Sequence, residues 1–210
     1  MDITKMLTKE EIKIIELFRK DLFKSYTIKE LAEKINKKSY GWVFNAIKKL
    51  NISGIINLEP KGGSSICSIN LKNELTLNYL ALLENFGIQK PLPMKNILEL
   101  INVVPVSYFT FIITGSYAEG KATKKSDLDV VVIVENREDS KKILVVLKNK
   151  GELMIPKIHA YVFTKEEFLK MLLDKGENYG KEVFRNRIIF FGAENYYLIL
   201  KEAIENGFKN

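Results

Sequence analysis

Two aspartates, Asp127 and Asp129, stand one residue apart in Ser126-Asp127-Leu128-Asp129-Val130. Alternate side chains of an extended chain share a face. The two carboxylates are therefore expected side by side, with Leu128, Val130 and Val132 turned to an opposite, buried face. Carboxylates held this close repel unless a cation lies between them or one is protonated. Such an oxygen pair suits Mg²⁺ (or Mn²⁺), which is usually held by one or two carboxylates plus substrate phosphates. Upstream, Gly115 and Ser116 follow an apolar run, and Ser116 can open a short helical turn. Backbone N–H groups and the hydroxyl there can hold phosphate, and glycine permits close approach. A phosphate cradle and a metal pair would then share neighbouring strand ends. For an isolated Asp-x-Asp, two solvated acids at a strand end are the ordinary alternative; the Gly-Ser pair argues against it here.

Gly115 to Gly120-Lys121 also comes near a P-loop. That motif requires Ser or Thr next, followed at once by a long helix. Here Ala122 follows, and the chain runs straight on to the Asp pair. Lys121, Lys124 and Lys125 can neutralise triphosphate charge or stay solvated in the loop.

Gly115-Ser116, the ten residues from Tyr117 to Ser126, then Asp127-x-Asp129 resembles the signature of minimal nucleotidyltransferases of the polymerase-beta superfamily. The resemblance covers roughly residues 94–210 and is strongest over 111–134. Within that superfamily the segment most resembles antitoxin-type protein adenylyltransferases, which move AMP from ATP to a protein hydroxyl. The resemblance implies that Gly115 and Ser116, with Lys121 and Ser126, hold the nucleotide and that Asp127 and Asp129 coordinate the metal. It also implies a third carboxylate from a later strand, just before a run like Tyr161-Val162-Phe163-Thr164-Lys165-Glu166-Glu167. The matching position here is His159, the single histidine of the chain. An imidazole can serve as general base near neutral pH, mark the loss of one metal site, or be an ordinary strand residue. Glu152 would replace the acid only if its loop folded back.

The elements around these residues read as α+β. A helix is expected over Lys95–Asn102, strands over Tyr108–Thr114, Leu128–Val134 and Ile158–Phe163, and a helix from Asp139 or Ser140 to Lys148. Another helix opens at Thr164, and Ala193–Asn206 forms the last; Arg187–Phe191 is a short apolar run. The Arg185-Asn186-Arg187 run can contact phosphate or form a solvated cap, and the cap is the expected reading. This is a small mixed sheet with flanking helices.

The first third of the chain has a different grammar. Thr8-Lys9-Glu10-Glu11 is a capping box, Thr27 and Ser39 cap two further helices, and Pro60-Lys61-Gly62-Gly63-Ser64-Ser65 turns between two short strands. Three helices and a hairpin in this order resemble a winged helix-turn-helix, whose third helix can enter the major groove. Tyr40, Phe44 and Lys48, with Asn45 and Lys49 beside them and Lys61 at the wing tip, are the expected face toward double-stranded DNA. The same aromatics also suit a protein interface. The expected organisation is a winged helix over 1–72, a connecting helix and linker over 73–90, closed by Asn85-Phe86-Gly87, and a nucleotidyltransferase domain over 91–210.

Net charge is +7, and most of the excess falls in the first 80 residues; basic surface of this kind attracts phosphate backbones. The N-terminus lacks a signal-peptide pattern, no apolar run is long enough to span a bilayer, and the single cysteine cannot form an internal disulfide. A cytoplasmic protein without a membrane partner is expected. Apolar stretches at Tyr79–Leu83 and Tyr196–Leu200 offer a homodimer surface or plain core. Two functions stay open: an enzyme moving a nucleoside monophosphate from ATP to a hydroxyl, and a DNA-binding regulator whose nucleotidyltransferase-like domain senses nucleotide or dimerises.

Overall fold

Thr8 opens the first helix with a complete capping box: its hydroxyl accepts from the Glu11 N–H while the Glu11 carboxylate accepts from the Thr8 N–H at 2.7 Å. The computed structural model describes residues 7–86 and 91–209. The N-terminal Met1–Lys5 reading and the helix end at Gly87 lie outside them. Two compact units divide within one helix, between Leu83 and Glu84.

In the first unit, α1 (Lys9–Lys20) is followed by β1 (Tyr26–Thr27), α2 (Ile28–Lys34), α3 (Tyr40–Ile52), β2 (Ile56–Lys61), β3 (Ser64–Ile69) and α4 (Glu74–Phe86), which continues into the second unit. Thr27 and Ser39 cap α2 and α3 as expected. The three strands pair in the antiparallel order β1-β3-β2. The turn is tighter than the sequence implied. Pro60 and Lys61 pair with Ser65 and Ser64, so only Gly62 and Gly63, both at positive φ, remain in the turn. Ile14, Ile15, Phe18, Leu31, Val43, Ile47 and Leu50 are buried beneath the sheet residues Ile56 and Cys67. Burial pushes the Cys67 thiol up to about 11, which leaves it protonated and inert.

The second unit (Glu84–Phe208) is built on a four-stranded sheet in the order β6-β5-β4-β7. Its elements are α5 (Met94–Asn102), β4 (Thr110–Thr114), α6 (Gly115–Glu119), β5 (Leu128–Val134), α7 (Arg137–Gly151), β6 (Ile158–Thr164), α8 (Lys165–Leu173), α9 (Tyr179–Arg185), β7 (Ile188–Phe191) and α10 (Ala193–Glu205). β5 and β6 run parallel, joined by α7, and the other pairings are antiparallel. One face (Phe111, Ile113, Leu128, Val130, Val132) packs with Ile97 and Leu100 of α5 and Ile143 and Leu147 of α7. Val131 and Ile133 point to the other face and are also buried, so β5 is covered on both sides.

Several expectations need correction. α7 begins at Arg137, because Asn136 caps it by accepting from the Asp139 N–H; the expected start at Asp139 or Ser140 overlooked this cap. β4 begins at Thr110, two residues later than Tyr108. α9 was not anticipated; Gly180 interrupts its helical pattern. A Cβ at Gly180 would come within 2.5 Å of Met171 Cβ, so close helix packing requires the glycine. The Arg185–Arg187 run is not a solvated cap throughout. The Arg187 side chain is 10% exposed and lies between the Phe184 and Tyr196 rings, near Glu84, which also accepts from the Tyr197 hydroxyl. The Tyr196–Leu200 stretch is mainly core, with Tyr196 and Tyr197 fully buried and Leu198 exposed. No helix among the described residues is long and apolar enough to cross a membrane.

Candidate active site

Gly115 leaves β4 at φ +63° and starts α6. This left-handed conformation suits glycine, but the neighbour is the stronger constraint: a Cβ at this position would lie 2.3 Å from Asp129 Oδ2. The Gly115-Ser116 turn is thus packed directly against the second aspartate. Ser116 is half-buried, and its carbonyl accepts from the Lys121 N–H at 2.9 Å, which folds the following loop back. Asp127 lies just before β5, and Asp129 is the second residue of the strand, opposite Thr114 of β4.

On the other side of β5, the parallel register pairs Asp129 with His159. The imidazole faces both acids, with Nε2 3.4 Å from Asp127 Oδ2 and Nδ1 3.6 Å from Asp129 Oδ1. Both distances are longer than short hydrogen bonds. Burial pushes the Asp129 carboxyl above its usual range, and the charges of Asp127 and Glu182 act in the same direction; His159 opposes them. Position 159 thus directly neighbours the acids, and Glu152 caps the C-terminal end of α7 instead.

The remaining predicted nucleotide contacts are more peripheral. Lys121 is well exposed and pairs with Glu119 at 2.8 Å. Ser126 shapes the loop before the aspartates: its hydroxyl accepts from the Thr123 N–H at 2.9 Å.

Tyr179 and Glu182 were not singled out from the sequence, because α9 was not anticipated. The available signal was Asn178, a capping residue followed by apolar Tyr179, Val183 and Phe184. Tyr179 lies against Tyr161 of β6 at a ring-centroid distance of 4.8 Å. Burial, with the nearby Asp129 charge, pushes its phenol well up.

Asp127 and Asp129 suit a divalent cation. They are partly exposed hard oxygen donors on one side of the sheet, and their mutual repulsion is what a cation would relieve. Among the described residues no three His, Cys, Asp or Glu side chains are assembled into a metal cage. A pair of carboxylates suits an ion that keeps open positions for water and phosphate. The crevices lined by Tyr108, Val134, Thr164 and Phe191 lie at the opposite end of the strands.

Residues 105–189 match the nucleotidyltransferase domain family model. The match takes in Gly115, Ser116, Asp127, Asp129, His159 and the whole of α9, and it supports the nucleotidyltransferase superfamily. With it comes support for a transferase that uses a nucleoside triphosphate. No curated protein and no solved structure matches the chain.

The predicted DNA-facing residues lie in the first unit. Tyr40 and Phe44 stack at 6.4 Å on the outer side of α3, and Lys48 Nζ sits 4.6 Å from the Phe44 ring centroid. Asn45, Lys48 and Lys61 are exposed. Lys49 differs: its ammonium donates to the buried Glu11 at 2.9 Å, joining α3 to α1.

Proposed function

We propose that the second unit transfers AMP from ATP to a hydroxyl group on a protein, using a divalent metal ion held by Asp127 and Asp129. The observation carrying this reading is the Gly115-Ser116 turn packed on Asp129, with Asp127 and His159 beside it. Gly115 and Ser116 hold the β- and γ-phosphates, assisted by Lys121. The acceptor oxygen attacks the α-phosphorus, the bond from that phosphorus to the bridging oxygen breaks, and pyrophosphate leaves. His159 takes the hydroxyl proton; both its nitrogens lie beside the acid pair. When bound, Mg²⁺ or Mn²⁺ neutralises the charge that develops on the phosphoryl oxygens.

The first unit acts as a winged helix on double-stranded DNA, within a cytoplasmic protein. Helix order, the three-stranded sheet, the exposed Tyr40, Asn45, Lys48 and Lys61 and the half-buried Phe44 support this role. Tethered to DNA, the transferase would act near its site or control its own expression.

The test is incubation of the purified chain with α-labelled ATP, Mg²⁺ and a lysate of its host, beside Asp127→Asn/Asp129→Asn. Label moved to a protein by the wild type alone supports the transfer and identifies the acceptor. Binding of Mg-ATP without transfer supports the second reading, a DNA-binding nucleotide sensor. The imidazole at the place of the family's third acid favours that reading.

A further inference from the structure

The helix α9 is anchored over both strands that flank β5. At its start, Tyr179 lies on Tyr161 of β6 at 4.8 Å. Just beyond its end, the Asn186 carbonyl accepts from Thr114 Oγ1 of β4 at 2.7 Å, and the Asn186 amide donates to Glu119 at 3.3 Å. In the order β6-β5-β4, the strand between these anchors is β5, and Asp129 lies near the same end as Thr114, its register partner. Glu182 follows Tyr179 by three residues and precedes Asn186 by four, a spacing that puts all three on a common helix face. It is exposed, and among the described residues its carboxylate has no hydrogen bond or ion pair. Its charge reaches both Asp129 and Tyr179.

A third carboxylate on the face of α9 that spans β5, its charge acting on Asp129, raises the repulsion in the site. We propose that Glu182 supplies the third negative charge of the cation site, from a helix rather than from the strand position that His159 occupies. This inference rests on reading Asp127 and Asp129 as the metal pair. Mg²⁺ and ions like it keep several waters. Glu182 accepts hydrogen bonds from those waters. It is therefore a positioning residue: it orients the bound ion's water shell without touching the ion. Outer-shell partners of this kind set metal affinity strongly.

The test is titration of the full chain with Mn²⁺, read by water-proton relaxation, for the wild type, Glu182→Gln, Glu182→Asp and Asp127→Asn/Asp129→Asn. Glu182→Gln is expected to weaken Mn²⁺ binding about 10-fold without lowering the melting temperature, and Glu182→Asp to recover most of the loss. Equal Mn²⁺ affinity in wild type and Glu182→Gln, while Asp127→Asn/Asp129→Asn has lost it, overturns the role of Glu182 and leaves the metal pair standing. Mn²⁺ binding absent from the wild type, or unchanged in the double aspartate variant, overturns the metal pair and the role of Glu182 with it.

Discussion

Gly115→Ala tests the contact on which the site is built. The new methyl would start 2.3 Å from Asp129 Oδ2 and 3.2 Å from its Cγ, with the backbone held at φ +63°. A non-glycine residue in the left-handed region costs about 1–2 kcal/mol. Driving Asp129 off its rotamer adds about 0.5–1.5 kcal/mol. Together these amount to about 1.5–3.5 kcal/mol, or roughly 3–14 °C in melting temperature for a chain of this size. Transfer should fall further than stability does, because a displaced Asp129 leaves the metal pair and loses its contact with His159. Thermal unfolding and label transfer would be measured for Gly115→Ala, Asp129→Ala and the double variant. Asp129→Ala removes the clashing atoms, so only the backbone penalty should remain in that background. A coupling energy of about 1 kcal/mol is expected between the two positions. Additive effects, or Gly115→Ala with the wild-type melting temperature, would refute the steric argument.

Asp129→Asn should melt above the wild type at neutral pH without metal. A raised folded-state pKa gives stability that is present below the unfolded value and lost as pH rises through the folded one, so the charged Asp129 opposes folding at neutral pH. Added Mn²⁺ should raise the melting temperature of the wild type and leave this variant unmoved. Glu11 behaves oppositely: burial pushes it up, but hydrogen bonds from Thr8 and Lys49 hold it below the ordinary 4.5. Its contribution is present above that value and lost as pH falls through the lower folded one. Fluorescence of Trp42, the single tryptophan, should therefore report an acid transition of the first unit below about pH 4.5, and Lys49→Met should flatten it while costing about 1–2 kcal/mol at neutral pH. For duplex DNA, Lys48→Ala or Lys61→Ala should each reduce the slope of log K against log salt by about 0.9 without altering stability. Lys49→Ala should lower stability more than that slope, and an equal loss of slope for all three would refute the distinction drawn from its pairing with Glu11.

The parts legible in the sequence are those written in local chemistry. The capping residues Thr8, Thr27, Ser39 and Thr164 each begin a helix where side-chain hydrogen bonding requires it. The alternation around Asp129 gave β5 its bounds. The misses have physical causes. Pro60 lies in a strand whose N–H it cannot supply, at a pair next to the turn. Asn136 was passed over as a cap because Asp139 and Ser140 offered later starts. Nothing local announces that Arg187 is buried: its ion-pair partner, Glu84, lies more than a hundred residues earlier in the chain. Glu182 escaped for the same reason, since its relation to Asp129 exists only once α9 crosses the sheet.

The parallel pairing of β5 and β6 sets an order of assembly. The β4–β5 hairpin joins the Gly115-Ser116 turn to Asp127 and Asp129 within a local stretch of chain. His159 can reach them only after the α7 crossover has been made and β6 has docked in register. Local pairings form readily, whereas the crossover must first overcome loop-closure entropy. During synthesis the Gly115-Ser116 turn and the acid pair can therefore exist before the imidazole arrives, and α9 follows later still. A nascent chain would hold the Gly115-Ser116 turn and both aspartates first and gain His159 beside them afterwards.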